Sequence, residues 1–373
     1  MSTKPPVRVA VPWLRDAVVE ARAAGSLPSL PAFAWLAGRG FATQLPQGDW
    51  RQWLLVGTGA DASESSNALQ RWPAGPSLAA AASRTQASTS GSDQAPCWAV
   101  AQPVHFAAGM DHVRLAPLAD AVPTAAEAAQ LAATLNDHFA DDGLVFGELV
   151  DGAWPVLCRA PVQCSTRDPA AAVGHNIHDF LPAGADGARV RSLMNEIQML
   201  LHEHPVNQRR AARRASPING LWLWGFGAAD VAGATPSPIP GRGTLYADDL
   251  WLRSLWRAHG GVVRNVDEAV GATADGAVIG RPHSPTTDDT PLDRTSPPAT
   301  GSALIALTQP PTTDPGEALI EVDSSLLAGL CRGVRSGRLQ SLELFDGARV
   351  RALDAHSRWR FWRRPVALDE VLR

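Results

Sequence analysis

The sequence predicts an α/β protein: a mostly parallel sheet with helices on both faces, carrying a smaller inserted α/β lobe. Three observations predict it. Short apolar runs alternate with segments of helical spacing along the chain. The run Leu221–Trp224 is apolar at every position, as a strand covered on both faces would be. Ala247–His259 then has helical spacing, Gly260-Gly261 closes it, and Val262-Val263 can return as a parallel strand, which completes a βαβ unit.

The other elements follow in order. Val7–Val11 is an apolar run ended by Pro12, a first strand. Leu14–Ala24 and Leu30–Gly38 have helical spacing, the second stopped at Gly38-Arg39-Gly40. Gln52–Val56 reads as a further short strand. Thr124-x-x-Glu127 is a capping box, and Ala128, Leu131, Leu135 and Phe139 follow on one helical face until Gly143. Leu144–Phe146 and Pro155–Arg159 read as strands. Between Arg189 and His204, the residues Val190, Leu193, Met194, Ile197, Leu200 and Leu201 form one apolar stripe, ended by Pro205. Gly225-Phe226-Gly227 reads as a turn after the strand Leu221–Trp224. Near the C-terminus Leu304–Leu307, a helix from Ser324 to Arg335 capped by Asp323, and Leu339–Leu344 repeat the alternation. Two stretches differ in character: 57–96 is rich in Ala, Ser, Gly and Thr, and 271–302 in Pro, Thr and Asp. The expected organisation is residues 1–100 with a low-complexity loop at 57–96, an inserted lobe over 101–181, and 182–373 with a linker at 271–302.

The chain has 373 residues, 45% of them hydrophobic and 19% charged, which is ordinary for a globular protein with a large core. A net charge of −4 shows no basic excess that would point to nucleic acid or an anionic membrane. No apolar run reaches the roughly 18 residues that a membrane span needs, and the N-terminus has no signal-like apolar stretch. The cysteines Cys97, Cys158, Cys164 and Cys331 include no C-x-x-C pair and suit a reducing compartment. The expected location is the cytoplasm.

Chemistry concentrates between His202 and Gly227, HEHPVNQRRAARRASPINGLWLWGFG. A helix ending in His-Pro, followed by Asn and by Arg209, Arg210, Arg213 and Arg214, suits a phosphate or carboxylate, because a guanidinium presents a planar fork of donors. The candidate phosphate-binding set is His204, Asn207, Arg210 and Asn219, with Gly225 and Gly227 as a backbone cradle. The alternative is structural: His204 and Asn207 cap a turn, the arginines form a solvated face, and the glycines make a tight turn. His175 and His178 have i, i+3 spacing but no neighbouring Cys or Glu, so no metal site is assigned to them. His105 and His112 could face one another in a hairpin as satisfied polar residues. Gly75-Pro-Ser77-Leu-Ala79 lacks the second glycine of a nucleophile elbow. Arg358, Arg360, Arg363 and Arg364 alternate with Trp359, Phe361 and Trp362, a pattern better suited to a docked strand than to single-stranded nucleic acid.

His204, Pro205, Val206, Asn207, Arg210, Pro217, Asn219, Gly225 and Gly227 resemble a segment of the archaeal-type cofactor-independent phosphoglycerate mutases, members of the alkaline phosphatase superfamily. Ala107–Met110 and the helix from Thr124 to Asn136 resemble that family's R-A-G-R stretch and the helix after it. Longer phrases, Asp111–Leu115, Thr134–Leu144, Asn195–Asn207, Leu221–Gly225 and Phe361–Arg364, resemble the bacterial RpfE-type regulatory proteins. The resemblance implies an alkaline-phosphatase-like sheet. It also implies two divalent metals and a serine nucleophile, held by Asp and His ligands at strand ends and starting from an Asp-Gly after the first strand. Here that strand runs into Pro12-Trp13, Asp16 has no Gly beside it, and only His283 and His356 follow Gly261.

The expectation is therefore a catalytically degenerate, mutase-like pseudoenzyme with no catalytic residues, no metal and no cofactor. It would act in the cytoplasm as a regulatory or phospho-metabolite-binding protein, with a phosphorylated small molecule or a protein as partner and neither nucleic acid nor membrane. The alternatives are a divergent phosphoglycerate mutase or phosphatase using manganese or zinc, with ligands such as Asp248 and Asp249, and a protein–protein interaction module.

Overall fold

The computed structural model describes residues 6–45, 50–56, 58, 97–109, 112–228, 243–258, 261–274, 303–308, 310, 314–354 and 357. The nucleophile-elbow-like segment at 75–79, most of the two biased stretches, His283, His356 and the arginine–aromatic cluster at 358–364 lie outside these residues.

The chain runs β1 (Pro6–Ala10), α1 (Leu14–Ala23), α2 (Pro31–Arg39), β2 (Phe41–Gln44), α3 (Trp50–Leu55), β3 (Cys97–Val104), β4 (Phe106–Ala108) and β5 (Val113–Leu115). It continues with α4 (Ala125–His138), β6 (Leu144–Phe146), β7 (Trp154–Cys158), α5 (Gly187–His202), α6 (Pro205–Ala212) and β8 (Gly220–Ala228). Then come β9 (Thr244–Ala247), α7 (Leu250–Ala258), β10 (Val262–Arg264), α8 (Val266–Ala274) and β11 (Ala303–Ala306). The last elements are α9 (Pro315–Glu321), α10 (Ala328–Arg335), β12 (Ser341–Phe345) and β13 (Arg349–Asp354). Two compact units result, Met1–Ala62 with Pro236–Arg373, and Ser63–Thr235.

The first unit is the expected α/β layer. Its seven strands run in the order β10-β9-β11-β1-β12-β13-β2, parallel from β10 to β12 and antiparallel at β13 and β2. Val7, Val9, Ile305, Leu342 and Leu344 are fully buried on one face, against Val18 of α1, Phe33 and Leu36 of α2, and Leu319 and Leu330 of α9 and α10. On the other face Arg8 reaches the carbonyls of Leu54 and Val56, and so ties α3 to β1. The true βαβ unit is β9-α7-β10, not one starting at Leu221–Trp224. Gln52–Val56 is helical rather than a strand: a short apolar run fits either period, and Leu54 and Leu55 are the residues it buries.

Asp323 caps a helix other than the expected one. Asp314 caps α9 through the Glu317 amide, and the helix continues through a π-helical turn (Val322–Leu327) into α10. Asp323 is buried inside that turn and accepts the amides of Ala32 (3.1 Å) and Phe33 (2.7 Å). This completes the donor account of α2: Pro31 has no N–H, Asp323 takes the next two, and Ala34 bonds to the Leu30 carbonyl.

The second unit extends beyond the expected lobe of 101–181 because β8 belongs to its sheet. Four antiparallel strands run in the order β6-β7-β3-β8, beside the two-stranded β4–β5 hairpin. Leu221 to Trp224 are buried on both faces, as expected, yet β8 is an edge strand. Gly225 and Gly227 lie within β8 and not in a turn after it. Gly225 has φ +67° where the pairing with β3 shifts between Trp98 and Val100, the left-handed glycine position of a G1-type bulge. The Thr124–Glu127 capping box is present, and Val190, Met194, Ile197 and Leu201 form the buried stripe of α5. Among the described residues no helix is long and apolar enough to cross a membrane.

Candidate functional site

The polar residues of the His204 segment meet in the second unit, at the junction of α4, α5 and α6. His204 is the N-cap of α6. Its Nδ1 accepts the Val206 amide at 3.2 Å, and its Nε2 lies 3.0 Å from Thr134 Oγ1, which donates to the Gln130 carbonyl. That relay assigns a neutral ring with its proton on Nε2. Burial, reinforced by the nearby Arg209 charge, lowers the pKa of His204 and favours the same neutral form.

Asn207 is buried and has all its main partners in the backbone. Its Nδ2 donates to the carbonyls of Leu201 and Ile218, and its Oδ1 accepts the Ile218 amide, each at 2.8 Å. Asn219 holds both backbone groups of Phe106, at 2.7 and 2.9 Å. Asn136, which sequence reasoning passed over, clasps Phe146 in the same way at 2.8 and 2.9 Å. Phe106 and Phe146 pair with Leu115 and Val156 in their ladders, and the Asn219 and Asn136 amides satisfy the backbone groups that those partners leave open.

Arg210 is only 4% exposed. Its Nε donates to the Ser216 carbonyl (2.7 Å), Nη2 to the Asp120 carbonyl (2.9 Å), and Nη1 to Glu127 Oε2 (3.1 Å) and the Val122 carbonyl (3.3 Å). Arg213 pairs with the other Glu127 oxygen, and Arg209 with Gln130. Burial pushes the Glu127 carboxyl up, but the Thr124 amide and the charges of Arg210 and Arg213 outweigh it and hold the pKa below the ordinary value. Gly225 donates its amide to Thr166 Oγ1 at 3.0 Å. Of the residues singled out for a phosphate, His204, Asn207 and Arg210 sit together at the start of and along α6, Asn219 reaches to β4, and the polar atoms of all four are engaged by the chain itself. Gly225 and Gly227 sit in strand pairing apart from them.

Other singled-out histidines do not assemble. His105 Nδ1 is 3.1 Å from the Pro217 carbonyl, and His112 Nε2 accepts Arg114 Nε at 2.7 Å, so the two do not face one another. His175 and His178 are exposed, with His175 stacked on Phe180.

In open α/β sheets ligands bind beyond the carboxyl ends of the strands. There, in the first unit, Val11 and Leu14 are buried and Asp16 is exposed. Asp248, after β9, accepts the Thr308 amide and hydroxyl, both at 2.8 Å, after β11. Trp13 Nε1 donates to the Leu307 carbonyl at 3.0 Å. Asp249 caps α7 through the Leu252 amide (2.7 Å) and pairs with Arg51. Asp346 pairs with Arg351 at 2.8 Å. Among the described residues no three His, Cys, Asp or Glu side chains gather as a metal site would need.

No family model matches the chain. It is 32% identical over 136 residues to the 2,3-bisphosphoglycerate-independent phosphoglycerate mutase of Methanothrix thermoacetophila, a match covering 36% of this chain and 30% of that one. It is 41% identical over 56 residues to the probable 2,3-bisphosphoglycerate-independent phosphoglycerate mutase of Geobacter sulfurreducens, covering 15% of this chain and 14% of that one. Among solved structures it is similar to the cofactor-independent phosphoglycerate mutase of Thermoplasma acidophilum, with a TM-score of 0.36, 12% identity, and coverage of 94% of this chain and 90% of that one. The matches span less than a third of the length of these curated relatives. The sequence relatives of this chain are thus cofactor-independent phosphoglycerate mutases, matched over part of its length.

Proposed function

We propose that this chain is a phosphoglycerate-mutase-like protein that acts by binding rather than by turnover, as a cytoplasmic regulatory or phospho-metabolite-sensing protein. The observation that carries this reading is the commitment of Arg210. Four of its N–H directions end on Asp120, Val122, Glu127 and Ser216, and the side chain is 4% exposed. An arginine held this way supports the unit and presents no open fork to a moving phosphoryl group. Ala107 of β4 supports the same reading, since the resembled R-A-G-R stretch has a guanidinium at that position. The regulatory sense rests on the likeness to the RpfE-type phrases.

A second reading, a divergent metal-dependent mutase or phosphatase, draws on one observation. Asp248 and Thr308 sit side by side at the carboxyl ends of adjacent parallel strands, where such folds hold ligands. One experiment separates the two. Purified chain is assayed for interconversion of 3- and 2-phosphoglycerate with and without added manganese, and its melting is followed with 3-phosphoglycerate present. No turnover with or without manganese is the expected result, and stabilisation by 3-phosphoglycerate would support the sensing role through groups other than Arg210. Manganese-dependent turnover that Asp248→Asn abolishes would establish the second reading instead.

A further inference from the structure

Cys97 and Cys158 carry an inference that does not depend on the proposed function. Spacing separates them, yet the antiparallel pairing of β3 and β7 sets Cys97 directly opposite Cys158, the first residue of one strand against the last of the other. Both are free thiols, 2% and 3% exposed. Directly paired residues of an antiparallel ladder put their side chains on one face, with Cα atoms about 4.5 or 5.5 Å apart. Both separations fall inside the roughly 4.4–6.8 Å range that a disulfide spans. The Cys97 thiol donates to the Trp98 carbonyl at 3.4 Å, a bond that closure would break.

We propose that Cys97 and Cys158 form a peroxide-sensitive dithiol, which closes reversibly into a disulfide between β3 and β7. In the first step the Cys97 sulfur attacks hydrogen peroxide. An S–O bond forms, the O–O bond breaks, and the departing hydroxide takes the thiol proton as water. In the second step the Cys158 sulfur attacks the Cys97 sulfenic acid. The S–S bond forms, the S–O bond breaks, and hydroxide leaves with the Cys158 proton as a second water. The two sulfurs together lose two electrons and peroxide gains them. Peroxide is small and neutral, which suits a nearly covered pair.

The asymmetry of the pair supports this order of attack. The hydrogen bond from Cys158 pulls the Cys97 thiol down to about 7 against the opposing effect of burial, helped by the Val162 and Gly227 amides. The partner Cys158 is pushed up, first by that same bond and then by burial. Cys97 is thus the attacking thiolate and Cys158 the resolving thiol. Cys164, part-exposed and raised by burial and by Asp186, is the natural internal control. Closure would hold β3, the strand that carries both β7 and β8, in register at its first residue. It would also enclose β4, β5, α4 and β6 in one covalent loop.

The test is made on the reduced wild-type chain. It is treated with hydrogen peroxide, unfolded in an alkylating denaturant, digested and read by mass spectrometry. The expected result is a Cys97–Cys158 linked peptide, with alkylated cysteines falling from four to two and returning to four with dithiothreitol. The oxidised chain should also melt several degrees higher. In Cys158→Ala, a sulfenic-acid trap such as dimedone should label Cys97. If Cys164 is oxidised before the pair, or Cys97 goes to sulfinic acid while Cys158 stays reduced, the proposal fails. The wild-type time course decides this even if the variant does not fold.

Discussion

Glu127 Oε2 lies 3.1 Å from Arg210 Nη1, and the two side chains are 6% and 4% exposed. The pair joins α4 to α6, and each partner also serves the backbone. Glu127 closes the capping box of α4 through the Thr124 amide at 2.9 Å, and Arg210 ties down three carbonyls. An ion pair so thoroughly covered costs desolvation energy, and removing Arg210 leaves the buried Glu127 charge to Arg213 alone and strips three carbonyls of their donor.

Arg210→Ala should therefore destabilise the chain by about 3–5 kcal/mol. Arg210→Lys should recover only part of this, because one ammonium cannot reach the carbonyls of Asp120, Val122 and Ser216 together. Urea unfolding followed by tryptophan fluorescence measures both. A variant that keeps wild-type stability but loses phosphate affinity would return Arg210 to the role of an anion ligand.

Acid should loosen this junction in two steps with the same sign. His204 is depressed by burial and by Arg209, so its contribution is full above the ordinary 6.5 and is lost as pH falls below that value towards its folded pKa. Glu127 is depressed as well, so its contribution is full above 4.5 and is lost as pH falls through its lower folded pKa. Urea midpoints measured from about pH 7 to about pH 4 should fall throughout. His204→Gln should flatten the upper part of that fall, and an unchanged profile would show that His204 does not titrate in this way.

Asp323→Ala should cost about 1–3 kcal/mol by orphaning the buried amides of Ala32 and Phe33. Its pH dependence runs opposite to that of Glu127. Burial raises the Asp323 carboxyl above 3.8 despite the two amides, so ionisation is harder in the folded chain. The stability this contributes is full below 3.8 and is lost as pH rises through the folded value. Relative to Asp323→Asn, the wild-type chain should lose stability over that rise, and a difference constant with pH would contradict the assignment.

Local signals were legible in the sequence and non-local ones were not. The Thr124–Glu127 box and the Val190–Leu201 stripe need only neighbours three or four residues apart, and both are present. Asn207 and Arg210 stood out as residues that matter, but their acceptors are backbone carbonyls up to 90 positions away, which no side-chain pattern announces. Phe41–Gln44 was missed because all four residues are exposed at a sheet edge. Asp323 precedes one helix in sequence and meets another in space, and only the first relation shows in the sequence. The Cys97–Cys158 apposition arises only from strand pairing, so spacing alone suggested four scattered thiols.

Gly347 links the carboxyl end of β12 to the segment after β1. Its φ is +107°, and a Cβ there would lie 2.4 Å from the Pro12 carbonyl oxygen, a backbone atom with no rotamer to change. Both terms oppose any side chain, whereas a positive φ in open space, as at Gly152, carries only the first. Gly347→Ala should destabilise the chain by roughly 1–3 kcal/mol or more, and Gly152→Ala by less. The damage should also reach the Asp346 carbonyl, which accepts the Arg15 amide at 2.9 Å. Hydrogen exchange at Arg15 should then speed up in Gly347→Ala and stay unchanged in Gly152→Ala. Equal costs for the two variants would mean that the loop after β1 gives way, and that the close approach of Pro12 to Gly347 does not hold this end of the sheet.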